Sequence, residues 1–233
     1  MARTYLLIAL CLTLAGVHVS GAIAITNGEA DGERHPYGGA LVVDGQPACS
    51  ATLVSPTVVV TAGHCVAGLA SPRVAVSFDA QLDPASWTLV PGTAHLDPRF
   101  GTSKTDTHDL AVVVLDRAAG LPHASLPAVD AAIGATSTVA VGYGYHDRAQ
   151  GEFVFDGLRR MGTIGVKKVG SSTLTLSSRD GGVCFGDSGG PHLLGDTVVA
   201  LTSTGTRSCN AAEAYRLDTL SARAFLGRFV ALP

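Results

Sequence analysis

At 233 residues, the chain is long enough for one large or two small hydrophobic cores. Its net charge of −3 and the lack of any basic run argue against a nucleic-acid partner or an anionic membrane surface. Aromatic residues are few (6%) and glycines many (28), a composition that fits numerous short strands joined by turns.

Residues 1–24 read as a secretory signal. Arg3 supplies the positive start, and the apolar run from Tyr5 to Val17 falls short of the roughly 20 residues that span a bilayer. Ala22-Ile23-Ala24 has the small-x-small form of a cleavage site, so the exported chain is expected to begin at Ile25. Cleavage after Ser20 or Ala22, leaving a short propeptide, is the alternative. Export makes the expected location extracellular, with no membrane attachment once the signal is removed.

Beyond the leader, β-type runs recur between turn signals: Gly39–Val43, Thr57–Ala62, Arg73–Phe78, Ser86–Val90, Asp109–Leu115, Ser137–Gly142, Met161–Val169, Ser172–Ser178 and Thr197–Ser203. Strands at this spacing without intervening helical patterns predict antiparallel barrels or a sandwich. Leu115–Ala135, rich in Ala, Pro and Gly, reads as a connector between two halves. One helix is predicted at the C-terminal end, where Ala222, Phe225, Leu226, Phe229 and Val230 share a face, capped by Ser221 or Asp218. No repeat is evident.

Of five cysteines, Cys11 lies in the leader, and Cys49, Cys65, Cys184 and Cys209 remain. An even number in an exported chain suggests two disulfides. Three pairings are open; sequence proximity favours Cys49 with Cys65 and Cys184 with Cys209. No C-x-x-C spacing occurs, and His35, His95, His108, His123, His146 and His192 lack metal-ligand spacing, so neither a metal nor a cofactor is expected.

Three stretches carry chemistry. Cys184-Phe185-Gly186-Asp187-Ser188-Gly189-Gly190-Pro191 sets a serine among glycines that permit a tight turn and bare N–H groups. His64 follows the β-branched run Val58-Val59-Val60-Thr61 and adjoins Cys65, a fixed position that suits a general base. Asp109 leads into the apolar run Leu110–Leu115, where a buried carboxylate needs a partner such as an imidazole N–H. Asp106 competes for that role but does not abut the strand.

Together, Thr61-Ala62-Gly63-His64-Cys65, Asp109–Leu115 and Gly186–Pro191 resemble the three catalytic signatures of the chymotrypsin/trypsin-like serine protease family, in that family's order His, Asp, Ser. The likeness covers residues 25–233. Cys49-Ser50-Ala51-Thr52-Leu53-Val54 is similar to the family's Cys-Gly-Gly-Ser-Leu-Ile, whose cysteine bridges to the one matched by Cys65. Val141-Gly142-Tyr143-Gly144 resembles Gly-Trp-Gly, Ser203-Thr204-Gly205 resembles Ser-Trp-Gly, and Ile25-Thr26-Asn27-Gly28 resembles the mature start Ile-Val-Gly-Gly. Gly186–Gly190 also fits the G-x-S-x-G elbow of α/β-hydrolases. That fold needs its acid and histidine after the serine, and its strand–helix alternation is missing here.

The resemblance implies an all-β fold of two antiparallel, Greek-key, six-stranded barrels with a C-terminal helix, the barrels at about 25–125 and 126–233. It implies a serine endopeptidase with Ser188 as nucleophile, His64 as base and Asp109 as its orienting acid, working through an acyl-enzyme. The N–H groups of Gly186 and Ser188 are the expected oxyanion hole. The amine of Ile25, once freed, is expected to pair with Asp187. Gly182, Val183, Phe185, Ser203, Gly205 and Glu213 are expected around the substrate side-chain pocket. Gly182 and Val183 suggest apolar substrates, whereas Glu213 on the far wall suggests basic ones, or else stands in a solvated loop. Expected partners are a polypeptide substrate and protein protease inhibitors, with the chain a monomer. The alternative is a catalytically silent homologue that acts as a binding protein.

Overall fold

The computed structural model describes residues 25, 28–147, 153–177 and 182–233. The expected leader at 1–24 lies outside the described residues, as do Thr26, Asn27 and Ser178 of the expected segments. Fifteen short strands and one helix are present among them: β1 (Glu29–Ala30), β2 (Gly38–Val43), β3 (Gln46–Ser55), β4 (Val58–Thr61), β5 (Arg73–Ser77), β6 (Val90–Leu96), β7 (Ala111–Leu115), β8 (Ser137–Gly142), β9 (His146–Asp147), β10 (Phe153–Val154), β11 (Arg160–Val169), β12 (Thr173–Leu176), β13 (Pro191–Leu194), β14 (Thr197–Gly205), β15 (Ala212–Arg216) and α1 (Leu220–Leu226).

The strands close into two barrels. The first runs β2-β3-β4-β7-β6-β5 and returns to β2. The second runs β8-β11-β12-β15-β14-β13 and returns to β8, with β1 added along β11. Every named pairing is antiparallel, and full closure leaves no long edge exposed. The all-β, two-barrel fold with a C-terminal helix is thus the one expected from the resemblance, and the choice between barrels and a sandwich resolves in favour of barrels.

Local sequence explains the connections. Asp44 and Gly45 both take positive φ, 49° and 77°, and form the two-residue loop between Val43 and Gln46. That is the backbone an Asp-Gly pair favours in a tight hairpin. β4 and β7 are almost wholly buried Val and Ala, and pair Val58 with Val114 and Val60 with Val112. Leu41, Leu53, Leu110 and Val76 fill the first barrel; Ile164, Leu174, Leu176 and Val199 fill the second. The segment after β7 crosses between the barrels. There the Ala124 N–H donates to Leu53 O, and Ser125 bridges Thr197.

Several expected boundaries move. Ser86–Val90 is not a strand. Asp83 accepts from the Ala85 N–H and the Ser86 hydroxyl to make a turn, and the strand starts at Val90 and runs to Leu96. β3, β13 and β15 add strands that the run of expected elements omitted. The helix is capped by Thr219, whose side chain accepts from the Ala222 N–H, rather than by Ser221 or Asp218. Asp218 is instead fully buried, pairing with Arg216 and accepting from the Ala132 N–H. The helix stops at Leu226, and Phe229 packs back on Phe225 from the following turn, 5.2 Å between ring centres. Among the described residues, no helix is long and apolar enough to cross a membrane.

Candidate active site

His64 sits in a single helical turn, Gly63–Cys65, directly after β4. A side chain at Gly63 would meet Leu110 N at 2.9 Å, so glycine is what lets this turn lie against the start of β7. Cys65 is bonded to Cys49 of β3, and Cys184 to Cys209, the pairing favoured by proximity. Closing a loop of sixteen residues adds about 3 kcal/mol in the chain-entropy model.

Asp109, only 3% exposed, meets His64 at the mouth of the first barrel. Its Oδ1 accepts from the His64 backbone N–H at 2.8 Å. His64 Nδ1 lies 2.9 Å from Oδ2 and 3.1 Å from Oδ1. Ser203 donates its hydroxyl to Oδ2 from the second barrel. Burial pushes the Asp109 carboxyl up. The hydrogen bonds and charge of His64, with the Ser203 hydroxyl, outweigh it and hold the group below the usual carboxylate range. An ionised carboxylate on Nδ1 fixes the proton there and leaves Nε2 as an acceptor. Asp106 takes no part: it accepts from Tyr215 OH at 2.9 Å and from the His108 N–H.

Ser188 lies in the turn between the barrels' facing edges. Ser50 of β3 holds this turn from the first barrel. Its N–H donates to Ser188 O at 2.8 Å, its hydroxyl donates to Gly186 O at 2.8 Å, and that hydroxyl accepts from the Tyr143 N–H at 3.0 Å. Gly186 and Gly189 have φ of 89° and 79°. A Cβ at Gly189 would fall 2.1 Å from Thr61 Oγ1 and 2.5 Å from Ser50 O, so the serine's neighbours must be bare for the two barrels to approach. No described residue accepts from the N–H of Gly186 or Ser188.

Asp187 points the other way, into the second barrel, and is 1% exposed. It accepts from the Gly144 N–H and the Cys184 N–H, both at 2.8 Å. Burial raises its pKa to about 7, against the pull of those two donors. Gly142 and Gly144 are required beside it, since a Cβ on either would lie within 2.4 Å of the carboxylate. Ile25 is buried in the same barrel's core, its side chain against Gly162. No hydrogen bond joins Ile25 to Asp187 among the described residues, and the Ile25 nitrogen is here part of a peptide bond.

Two clefts flank His64. One, of about 440 Å³, is lined by Phe100, Thr107, Ser203, Thr204 and Gly205 along with His64 and Asp109. The other, of about 460 Å³, holds both His64 and Ser188, with Gly186, Phe185 and the Cys49 edge of β3. Of the residues expected around the substrate pocket, Ser203 and Gly205 face the first cleft and Phe185 the second. The Ser203 hydroxyl is committed to Asp109. Val183 packs into the second core with Leu174 and Val199, and Gly182 is buried beside it. Glu213 stands exposed on β15, paired in register with Thr175 and Thr204, and lines neither cleft. Phe100, Thr107, Tyr145 and Phe155 were not foreseen, because the loops carrying them have no type-restricted chemistry. The Ser50 hydroxyl was missed because that position differs from the family segment.

Comparison with known proteins places these features in a lineage. The family model described as Trypsin matches residues 25–224. Trypsin iota of Drosophila melanogaster is 27% identical over 187 residues, 74% of each chain. Trypsin of Saccharopolyspora erythraea is 28% identical over 210 residues, 78% of this chain and 86% of the relative. Glucanase inhibitor protein 4 of Phytophthora infestans is 25% identical over 224 residues, 82% of each. The fold superposes on neuropsin, a serine protease of mouse brain, with a TM-score of 0.69 at 19% identity, covering 87% of this chain and 98% of that one. With the signatures, the two barrels and the family match in agreement, the chain belongs to the trypsin family of serine proteases.

Proposed function

We propose that the chain is a secreted serine endopeptidase that hydrolyses polypeptides through an acyl-enzyme on Ser188. The observation that carries this reading is the grip of the ionised Asp109 on His64 Nδ1, with that imidazole in the same cleft as Ser188. Ser188 Oγ attacks the peptide carbonyl while His64 Nε2 takes its proton, and Asp109 stabilises the imidazolium that results. The N–H groups of Gly186 and Ser188 receive the oxyanion; one such donor is worth roughly 3–4 kcal/mol of transition-state stabilisation. His64 then protonates the leaving amine, and water enters by the same route in reverse to release the acyl group.

Residues 1–24 serve as the export signal, residues 25–125 and 126–233 as the two barrels of one protease unit. Two disulfides support an oxidising destination. Removal of the leader frees the Ile25 amine, which pairs with Asp187. A buried carboxylate raised to about 7 despite the charge of Arg160, and hydrogen-bonded only to backbone N–H groups among the described residues, supports that role. The enzyme acts as a monomer on polypeptides and is open to protein protease inhibitors. Ser203 and Gly205 line the cleft that takes the residue before the scissile bond, with Gly182 and Val183 buried and Glu213 outside both clefts. A panel of chromogenic peptides varying that residue ranks apolar against basic side chains, and Glu213→Ala tests whether the exposed carboxylate, outside both clefts, adds any basic preference.

A second reading, a silent homologue that binds a partner, is favoured by the glucanase inhibitor among its relatives. Kinetics separates the two. The processed chain should cleave peptides, with kcat reduced by about 10⁴-fold or more in Ser188→Ala and by no more in the Ser188→Ala/His64→Ala double variant. A folded, processed chain that cleaves no peptide supports the binding reading instead.

A further inference from the structure

The cleft that contains Ser188 has walls the catalytic groups do not explain. Of the chain's seven phenylalanines and five tyrosines, Phe153, Phe155, Phe185, Tyr143 and Tyr145 stand at or directly behind it. Three are substantially exposed: Tyr145 at 40%, Phe155 at 37% and Phe185 at 51%. These rings are held in place. The Tyr145 N–H donates to Phe185 O at 2.7 Å, tying the two walls together. Tyr145 and Phe155 lie 5.6 Å apart between ring centres, and Phe153 meets Phe185 edge-on at 6.3 Å. Pairing of β9 with β10, His146 opposite Val154, brings Phe155 next to Tyr145. Among the described lining residues there is no carboxylate, ammonium or guanidinium.

We propose that this cleft binds the residues on the leaving-group side of the scissile bond and selects large apolar, above all aromatic, side chains there. The inference rests on the peptidase reading and names part of its substrate. A polypeptide whose carbonyl carbon sits at Ser188 must continue in two directions. On the peptidase reading its acyl half takes the cleft beyond His64, which Ser203–Gly205 line. Its amine half is then left the space between the Cys49 edge of β3 and the aromatic wall. About 460 Å³ falls within the range of ligand pockets, roughly 300–1,000 Å³, and accepts more than one side chain. Pre-formed aromatic walls favour ring stacking and apolar burial, while a charged side chain entering them loses hydration with no charged partner among the described lining residues in return.

Internally quenched peptides test this, sharing one acyl half and carrying Phe, Leu, Ala, Asp or Lys at the first and second leaving-group positions. Cleavage is located by mass spectrometry. The processed enzyme is expected to favour Phe and Leu over Asp by about tenfold or more in kcat/KM at one or both positions. Phe155→Ala and Phe185→Ala should compress that ratio to under about threefold. Phe155→Leu should keep most of it, and Phe155→Lys should shift the preference toward Asp. The ratio compares substrates within one preparation, so a partly folded variant does not distort it. A flat ranking in the wild type, or a ranking unchanged in the alanine variants, overturns the aromatic subsite while leaving the peptidase reading intact. Cleavage of none of the peptides overturns both.

Discussion

Ser50 ties the Ser188 turn to the first barrel through both its backbone and its side chain. Its backbone and hydroxyl reach Ser188, Gly186 and Tyr143, and its carbonyl accepts from Thr61 Oγ1 at 2.8 Å. The hydroxyl is engaged by Gly186 O and the Tyr143 N–H; on the proposed mechanism it sets where the Gly186 peptide points and so acts as a positioning group for an oxyanion donor. Ser50→Ala should therefore lower kcat by about tenfold with KM little changed, the signature of an interaction felt only in the transition state. An equal rise in KM with kcat intact would assign Ser50 to ground-state binding instead. The Asp109–His64 pair was legible because chemistry restricts the residue types and their flanks restrict their position, with Asp109 against an apolar strand and Asp106 away from it. Nothing comparable marked Ser50, since a serine before a short β-run has many ordinary uses.

At the scale of elements, β11 is anchored through Arg159, whose side chain is fully buried. Its guanidinium bonds Asp31 Oδ2 at 2.8 Å and reaches the carbonyls of Gly32, Gly38 and Phe78, so one residue joins the entering chain, β2 and the end of β5 to the second barrel. Burial raises the Asp31 carboxyl, but the hydrogen bonds of His35 and Arg159 prevail and keep it below the usual range. Arg159→Ala leaves that buried carboxylate to His35 without its guanidinium partner, and denaturant unfolding should show a loss of about 3–5 kcal/mol. Adding Asp31→Asn should recover part of the loss; no recovery would mean that the carbonyl contacts, not the charge, carry the effect. At the other end of the chain, Thr219→Ala removes the helix cap and should cost about 1 kcal/mol. Strands such as β2, β4 and β7 were readable from their β-branched runs. β6 was misplaced because Pro91 and Gly92 break that pattern, although a Cβ at Gly92 would meet Val114 O at 2.7 Å and the barrel demands glycine there. Pro191 hid β13 in the same way.

For the whole molecule, both barrels connect their six strands in the same spatial order, first-second-third-sixth-fifth-fourth, though no repeat is visible in the sequence. Barrel closure requires alternation and turn placement, which many unrelated side chains satisfy, so shared topology left no shared letters. Two buried groups of the second barrel give the molecule a pH dependence. His192, between Thr138 and Thr202, is held neutral, its pKa lowered by burial to about 4. The unfolded chain takes up this proton near pH 6.5 and the folded one only near 4, so stability is lost as pH falls through that window, about 2 kcal/mol by pH 5. Asp187 acts in the opposite sense while no cation among the described residues bonds to it directly. Its folded pKa, about 7, exceeds the unfolded value of 3.8, so its contribution is complete at low pH and lost as pH rises through 7. In the unprocessed chain the two trends oppose. The proposed pairing with the Ile25 amine would remove the second, so on that proposal the processed chain should lose more stability between pH 7 and pH 5 than the unprocessed one. Denaturant unfolding of both, in a Ser188→Ala background, reads the difference; parallel pH profiles would contradict the pairing.

Covalent capture tests the central claim most directly. The chain beginning at Ile25, treated with a fluorophosphonate and digested, should carry the adduct on Ser188, with labelling lost in Ser188→Ala and strongly slowed in His64→Ala and in a chain that retains Ala24. A folded, processed chain that cleaves peptides yet takes the label elsewhere, or one that stays unlabelled, would contradict the assignment of Ser188 as the nucleophile.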